Sequence, residues 1–224
     1  MTALGKLREA LEYHHKHLSI AQEVDDTAGN AYDRLGNAYK RLGNFEEALS
    51  CHNKCISIAK EVGDRALEGR AYCQLGCLYL DNLGKYQEAT ELHNKHLSIS
   101  IEIGDRTGQG LAYGNLCFAY VSLGKFQEAT DCRNKCLSIA KEVGDRTLEA
   151  KAYDLLAHTS TNLGKFQEVV KYHNKTLSIA KELGQRGIEA DAYYYLGCTY
   201  HRVGKTQEAL VLQQKTFKKQ RSRL

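Results

Sequence analysis

The sequence predicts an all-α fold of tandem helix–turn–helix units, and three observations carry that prediction. The tract Ala31-Tyr32 … Leu35-Gly36 … Tyr39 … Leu42-Gly43 … Phe45-Glu46-Glu47-Ala48 recurs with starts at Ala71, Ala112, Ala152 and Ala192, every 40 or 41 residues. A fixed period of this size marks stacked supersecondary units, each unable to bury its apolar face alone. Inside each unit the apolar and small residues fall at helical spacing, as at Ala71, Tyr72, Leu75, Gly76 and Tyr79. Proline is absent from all 224 residues, and the junctions use glycine and aspartate instead, which suits a helix-only chain.

The elements follow in order. Leu4-Gly5-Lys6-Leu7-Arg8-Glu9-Ala10 aligns with Leu42-Gly43-Asn44-Phe45-Glu46-Glu47-Ala48, so residues 1–30 are expected to hold only the second helix of a partial repeat. Five units follow, over 31–70, 71–111, 112–151, 152–191 and 192–224, the last with a basic tail, giving eleven helices. In the unit 71–111 the first helix ends at Asn82-Leu83-Gly84-Lys85, with Gly84 as a left-handed terminator. A second helix runs from Tyr86 to Ile103; Gly104 ends it and Asp105 is placed to cap the next. Each unit is thus an αα-hairpin. The outer side of the first helix and that of the last, around Leu210, Leu212 and Phe217, lack a covering repeat. The chain is therefore expected to be a piece of a longer array, with self-association through these ends as the alternative.

Small residues carry the packing expectation. Gly36, Gly76 and Gly197 stand mid-helix, where glycine costs about 1 kcal/mol relative to alanine, so a second helix is expected to cross close over them. Ala48, Ala89, Ala129 and Ala209 supply the matching surface, and Tyr39, Tyr79, Tyr120 and Tyr200 fill the space between hairpins. The fourth unit departs from the pattern with Ala157, Ser160 and Val169. It is expected to be the loosest, because an aromatic lost from a core costs about 3–5 kcal/mol unless the site repacks.

The order Leu-Gly, Tyr, Leu-Gly, aromatic, Ala resembles the tetratricopeptide repeat over almost the whole chain. The standard unit has about 34 residues and ends in proline; here it is longer and Gly-Asp-Arg takes the place of the proline turn. The long form resembles the repeats of Pins-type G-protein signalling modulators and of large animal arrays. The resemblance implies a right-handed superhelical solenoid whose first helices line a concave groove. Groove positions would be Asp33, Asn37, Lys40 and Arg41, then Cys73, Cys77, Leu80 and Asp81, then Gly114, Phe118, Val121 and Ser122. Asp154, His158, Thr161 and Asn162 follow, and finally Tyr194, Cys198, His201 and Arg202. Its centre (Cys77, Leu80, Phe118, Val121) is apolar and its ends are polar, as in protein-binding surfaces. Phe118 and Tyr194 would anchor a peptide; the competing reading packs Phe118 and Leu80 under neighbouring helices.

The function expected is therefore that of a protein–protein adaptor or scaffold, with a regulatory array inside a larger protein as the alternative. A clamp for C-terminal carboxylates is disfavoured, since Asp33 stands where a lysine is needed, although Asn37 and Asn115 are clamp-like. Nucleic acid is not an expected partner: the net charge is only +4, much of it in Lys215, Lys218, Lys219, Arg221 and Arg223, and Asp33, Asp81 and Asp154 interrupt the groove. No run is apolar enough for a signal peptide or a membrane span, and eight cysteines without a leader point to free thiols in the cytoplasm.

No catalytic residues, cofactors or metal are expected. The pairs Cys51/Cys55, Cys73/Cys77 and Cys132/Cys136 are four apart, not at Cys-x-x-Cys spacing, and read as small buried hydrophobes. His14/His17 and His93/His96 each share a helix face, but the sequence supplies no third ligand beside them. His52, His93 and His173 recur at one repeat position, as structural residues do. Phosphate loops and nucleophile elbows are lacking.

Overall fold

A computed structural model describes residues 3–24 and 28–221, which form eleven α-helices: α1 Ala3–Val24, α2 Ala28–Leu42, α3 Phe45–Glu61, α4 Arg65–Asp81, α5 Tyr86–Glu102, α6 Arg106–Ser122, α7 Phe126–Glu142, α8 Arg146–Asn162, α9 Phe166–Glu182, α10 Arg186–Arg202 and α11 Thr206–Arg221. The chain divides into two compact units, Met1–Leu123 with α1–α6 and Gly124–Leu224 with α7–α11. In the first, α2 packs on α3 and α4 on α5 as hairpins; in the second, α8 packs on α9 and α10 on α11. The side chains of Lys218, Lys219 and Arg221, and all of Arg223, lie outside the described residues.

Turn chemistry sets the helix limits. Every connection from Gly43 to Gly204 carries one glycine with positive φ, for example Gly63 at 73° and Gly84 at 63°, a conformation that side-chain-bearing residues avoid. After it the chain folds back: Asp64 N–H donates to the Ala59 carbonyl at 2.8 Å, and Asp105 N–H to Ser100 at 2.8 Å. The same aspartates cap the next helix, accepting from the N–H of Leu67 (from Asp64), Gly108 (from Asp105) and Leu148 (from Asp145) at 2.8–2.9 Å. Gln185 takes the place in the last such turn and makes no cap. The arginine that follows is a tie as well: Arg65 pairs with Glu68 and Glu102, and Arg146 with Glu149 and Glu182. Asp145→Ala is expected to lower stability by about 1 kcal/mol in urea unfolding; Gln185→Ala has no cap to lose, only the hydrogen bond its Nε2 donates to Thr147 Oγ1 at 3.1 Å, and should cost less.

Small residues recur at one position of the second helices. Ala48, Ala89, Ala129 and Ala209 are at most 3% exposed. The facing second helix lies over the helical glycines as expected, but at Gly36 and Gly76 it approaches through a histidine side chain. A Cβ on Gly36 would stand 2.6 Å from Cε1 of His52, and one on Gly76 2.6 Å from Cε1 of His93. Of the three mid-helix glycines, Gly197 is the one that backbone approaches, with the Ala209 carbonyl at 3.6 Å. The glycines thus make room for imidazole plates, and His52, His93 and His173 are 0%, 0% and 2% exposed.

A second joint was not visible in the repeat pattern. The buried tyrosines Tyr72, Tyr153 and Tyr193 are each bracketed by two lysine ammonium groups at 5.3–6.0 Å: Lys60 and Lys95, Lys141 and Lys175, Lys181 and Lys215. The lysines come from the second helices on either side, so each ring holds two neighbours. The fourth unit is repacked rather than hollow. Val169 and Ala157 are fully buried, and Ser160, where other units have tyrosine, donates to Glu168 at 3.1 Å.

Candidate functional site

In the first unit the residues expected to face a ligand stand on α2, α4 and α6 and divide into spent and available groups. Asp33 is spent. It is 7% exposed, with one oxygen 3.6 Å from His52 Nδ1 and the other 3.5 Å from Arg70 Nε. Burial raises its pKa and the Arg70 guanidinium partly restores it. Leu80 is spent too: it is 5% exposed and packs with Ala89 and Ala119, so it is core, not groove. Both depart from the sequence expectation for one reason. A side chain or helix face from a neighbour covers each: His52 and Arg70 over Asp33, Ala89 and Ala119 over Leu80.

Lys40 and Asp81 pair at 3.5 Å, joining α2 to α4. Cys73 and Cys77 are half-buried and are not the buried hydrophobes expected: Asn115 Nδ2 on α6 lies 3.8 Å and 3.5 Å from their sulfurs. Asn115 therefore ties helices together. Asn37 and Val121 are half-buried and Arg41 is exposed. Phe118 stands out at 49% exposure.

The second unit presents α8 and α10. Asp154 holds two histidines, His158 Nε2 and His173 Nδ1, each at 3.5 Å. Its hydrogen bond raises the pKa of His158, while burial pushes His173 down to about 4. Tyr195 completes the cluster, stacked on His173 at 5.3 Å and edge-on to His158 at 5.0 Å. Tyr194, at 52% exposure, sits edge-on to Tyr195. His201 and Arg202 are exposed and Cys198 is half-buried. Sequence reasoning missed Tyr195 and the tying role of Asn115. The run Tyr193-Tyr194-Tyr195 is the one signal for the former, since three successive tyrosines on a helix must face three directions.

The remaining cysteines follow the sequence reading. Cys51, Cys55, Cys132 and Cys136 are buried, and burial lifts the Cys55 and Cys136 thiols to about 12. No disulfide forms among the described residues, and no described helix is long and apolar enough to cross a membrane.

Hairpins with this turn and seam chemistry define a helical-repeat protein. The tetratricopeptide repeat family model matches residues 1–61, 27–102, 108–182 and 150–222, and the chain belongs to that family. A search of curated protein sequences gave no match. Among solved structures the chain is similar to BtubC (BKLC) from P. vanneervenii, with a TM-score of 0.77 at 20% identity over 99% of this chain and 92% of that one. It is also similar to aspartyl phosphate phosphatase F from Bacillus subtilis, with a TM-score of 0.75 at 15% identity over 96% and 56% of the two chains. A third likeness is to a signal transduction ATPase with numerous domains and a tetratricopeptide repeat sensor from Pyrococcus horikoshii, at 0.71 and 21%, covering 88% and 32%. At these identities the likeness is one of fold.

Proposed function

We propose that this chain is a cytoplasmic protein-interaction adaptor that takes a peptide segment of its partner on the first-helix faces. The observation that carries the reading is Phe118, a large aromatic left half exposed on a first helix whose Ala112, Leu116, Cys117 and Ala119 are buried. Tyr194 is its counterpart in the second unit. Aromatic side chains that lose little conformational freedom are the usual anchors of such contacts. Arg41 in the first unit and His201 and Arg202 in the second are exposed polar groups, of the kind that rim protein-binding surfaces. The spacing of the repeats resembles that of Pins-type modulators, which makes linear segments of polarity or cytoskeletal-anchoring proteins the first class to try.

Peptides selected on the wild-type chain from a random display library are expected to bind Phe118→Ala at least about tenfold more weakly, roughly 1.4 kcal/mol. Binding that is unchanged in both Phe118→Ala and Tyr194→Ala, with helical content intact, contradicts the reading.

A second reading, a regulatory array within a larger protein, draws on the likeness to the sensor repeats of the Pyrococcus ATPase. Exposed apolar residues on the outermost helices, Tyr13 and Ile20 on α1 and Leu210 and Phe217 on α11, suit contacts with further repeats or with a second copy.

A further inference from the structure

We propose that Cys73, His93 and His96 form a binding site for a borderline-soft transition-metal ion, Zn²⁺ in the first instance, clamping α4 to α5. The histidines are one turn apart on α5 and share a face. Cys73 approaches them from α4, and one donor atom from each of the three lies within 4.8 Å of the other two. A tetrahedral Zn²⁺ with two imidazoles and a thiolate spaces its donors about 3.3–3.6 Å apart, so small side-chain rotations close the set.

Two further observations point to a ligand. His93 is 0% and His96 5% exposed, yet both ring nitrogens of His93 and Nδ1 of His96 lack a hydrogen-bond partner. Buried imidazole lone pairs left so are costly, and a metal satisfies them. His52 and His173, at the same repeat position as His93, face the carboxylates of Asp33 and Asp154; at His93 the facing group is a thiol instead. A cavity of about 420 Å³, lined in part by Cys73, Gln74, His96, Ser100 and Asp105, opens beside the three residues. It gives the ion a route in and leaves room for a water as fourth ligand.

The donor set decides the ion. One thiolate and two imidazoles with an open position match Zn²⁺, while Mg²⁺ and Ca²⁺ require oxygen donors. On binding, the Cys73 thiol releases its proton to solvent and the sulfur coordinates as thiolate. The ion would then stiffen the second hairpin directly beside Asn115, which already reaches Cys73 and Cys77 from α6.

The test uses the full reduced chain, stripped with a chelator and titrated with Co²⁺ as a spectroscopic probe, then with Zn²⁺. The expected result is a thiolate-to-cobalt charge-transfer band that saturates at one equivalent and is bleached by Zn²⁺. Cys73→Ser abolishes it, His96→Gln weakens Co²⁺ binding by about tenfold or more, and Cys77→Ser and Cys198→Ser leave it intact. Alkylation of the wild-type chain needs no substitution: Zn²⁺ is expected to protect Cys73 but not Cys198. Absence of the band in the wild type, its persistence in Cys73→Ser, or equal alkylation of Cys73 with and without Zn²⁺ overturns the proposal.

Discussion

Lowering the pH from 7 to about 4.5 is expected to cost the fold about 6 kcal/mol before any offset, roughly 2 kcal/mol from each of three buried histidines. His52, His93 and His173 sit inside their hairpins with pKa values pushed by burial to about 4. In the unfolded chain the same groups titrate near 6.5. Between those values the unfolded state binds protons that the folded state refuses. Stability is therefore full above pH 6.5 and declines as the pH falls toward 4. Three neighbours bear on the size. Lys40 pushes His52 the same way. Asp33, its own pKa raised, gains stability on acidification below its folded value and offsets part of the loss. His158 has a raised pKa and likewise favours the folded state at lower pH. Urea unfolding at pH 7, 5.5 and 4.5 reads the slope. His52→Phe, His93→Phe and His173→Phe should each flatten it, and a wild-type slope that survives all three substitutions would place the acid sensitivity elsewhere.

Substituting two helical glycines by alanine is expected to move stability in opposite directions. At Gly36 the new methyl would meet the ring of His52 at 2.6–2.9 Å, and that ring is fully buried between Gly36 and Asp33. Overpacking of this kind costs about 1–3 kcal/mol, more than the helix propensity gained. At Gly197 the nearest atoms are 3.6–3.7 Å away, an ordinary contact, so Gly197→Ala should keep most of the propensity gain of about 1 kcal/mol. Combining Gly36→Ala with His52→Ala removes the clash, and the double variant should lose less than the sum of the two single losses. Ala157 takes the glycine's register position in the hairpin that holds His173. A methyl is thus compatible with a ring there, which limits the cost to re-seating one side chain. Chemical denaturation of the four proteins gives the signs directly.

The helices, their ends and their caps were legible because each is fixed by residues adjacent in sequence. Gly84 and Gly104 end helices in the left-handed conformation, and Asp105 caps from one residue away. What the sequence concealed is set by residues far apart. The burial of Asp33 depends on His52 and Arg70, and Leu80 is covered by Ala89 and Ala119. Helical spacing shows which residues share a face but not how far a neighbouring helix overlaps it. The same limit hid the Cys73 contribution to the His93/His96 pair, since the thiol stands twenty residues away on the preceding helix. Phe118 and Tyr194 were legible as first-helix positions; that they stay uncovered while Leu80 does not is a property of packing.

The adaptor reading is tested most directly by amide hydrogen exchange on the chain with and without a selected peptide. Saturating peptide is expected to slow exchange in the first-helix segments around Phe118 or Tyr194, while α3, α5 and α9 exchange as before. Slowing confined to those second helices, or to the outermost helices α1 and α11, would mean that the partner grips a different face.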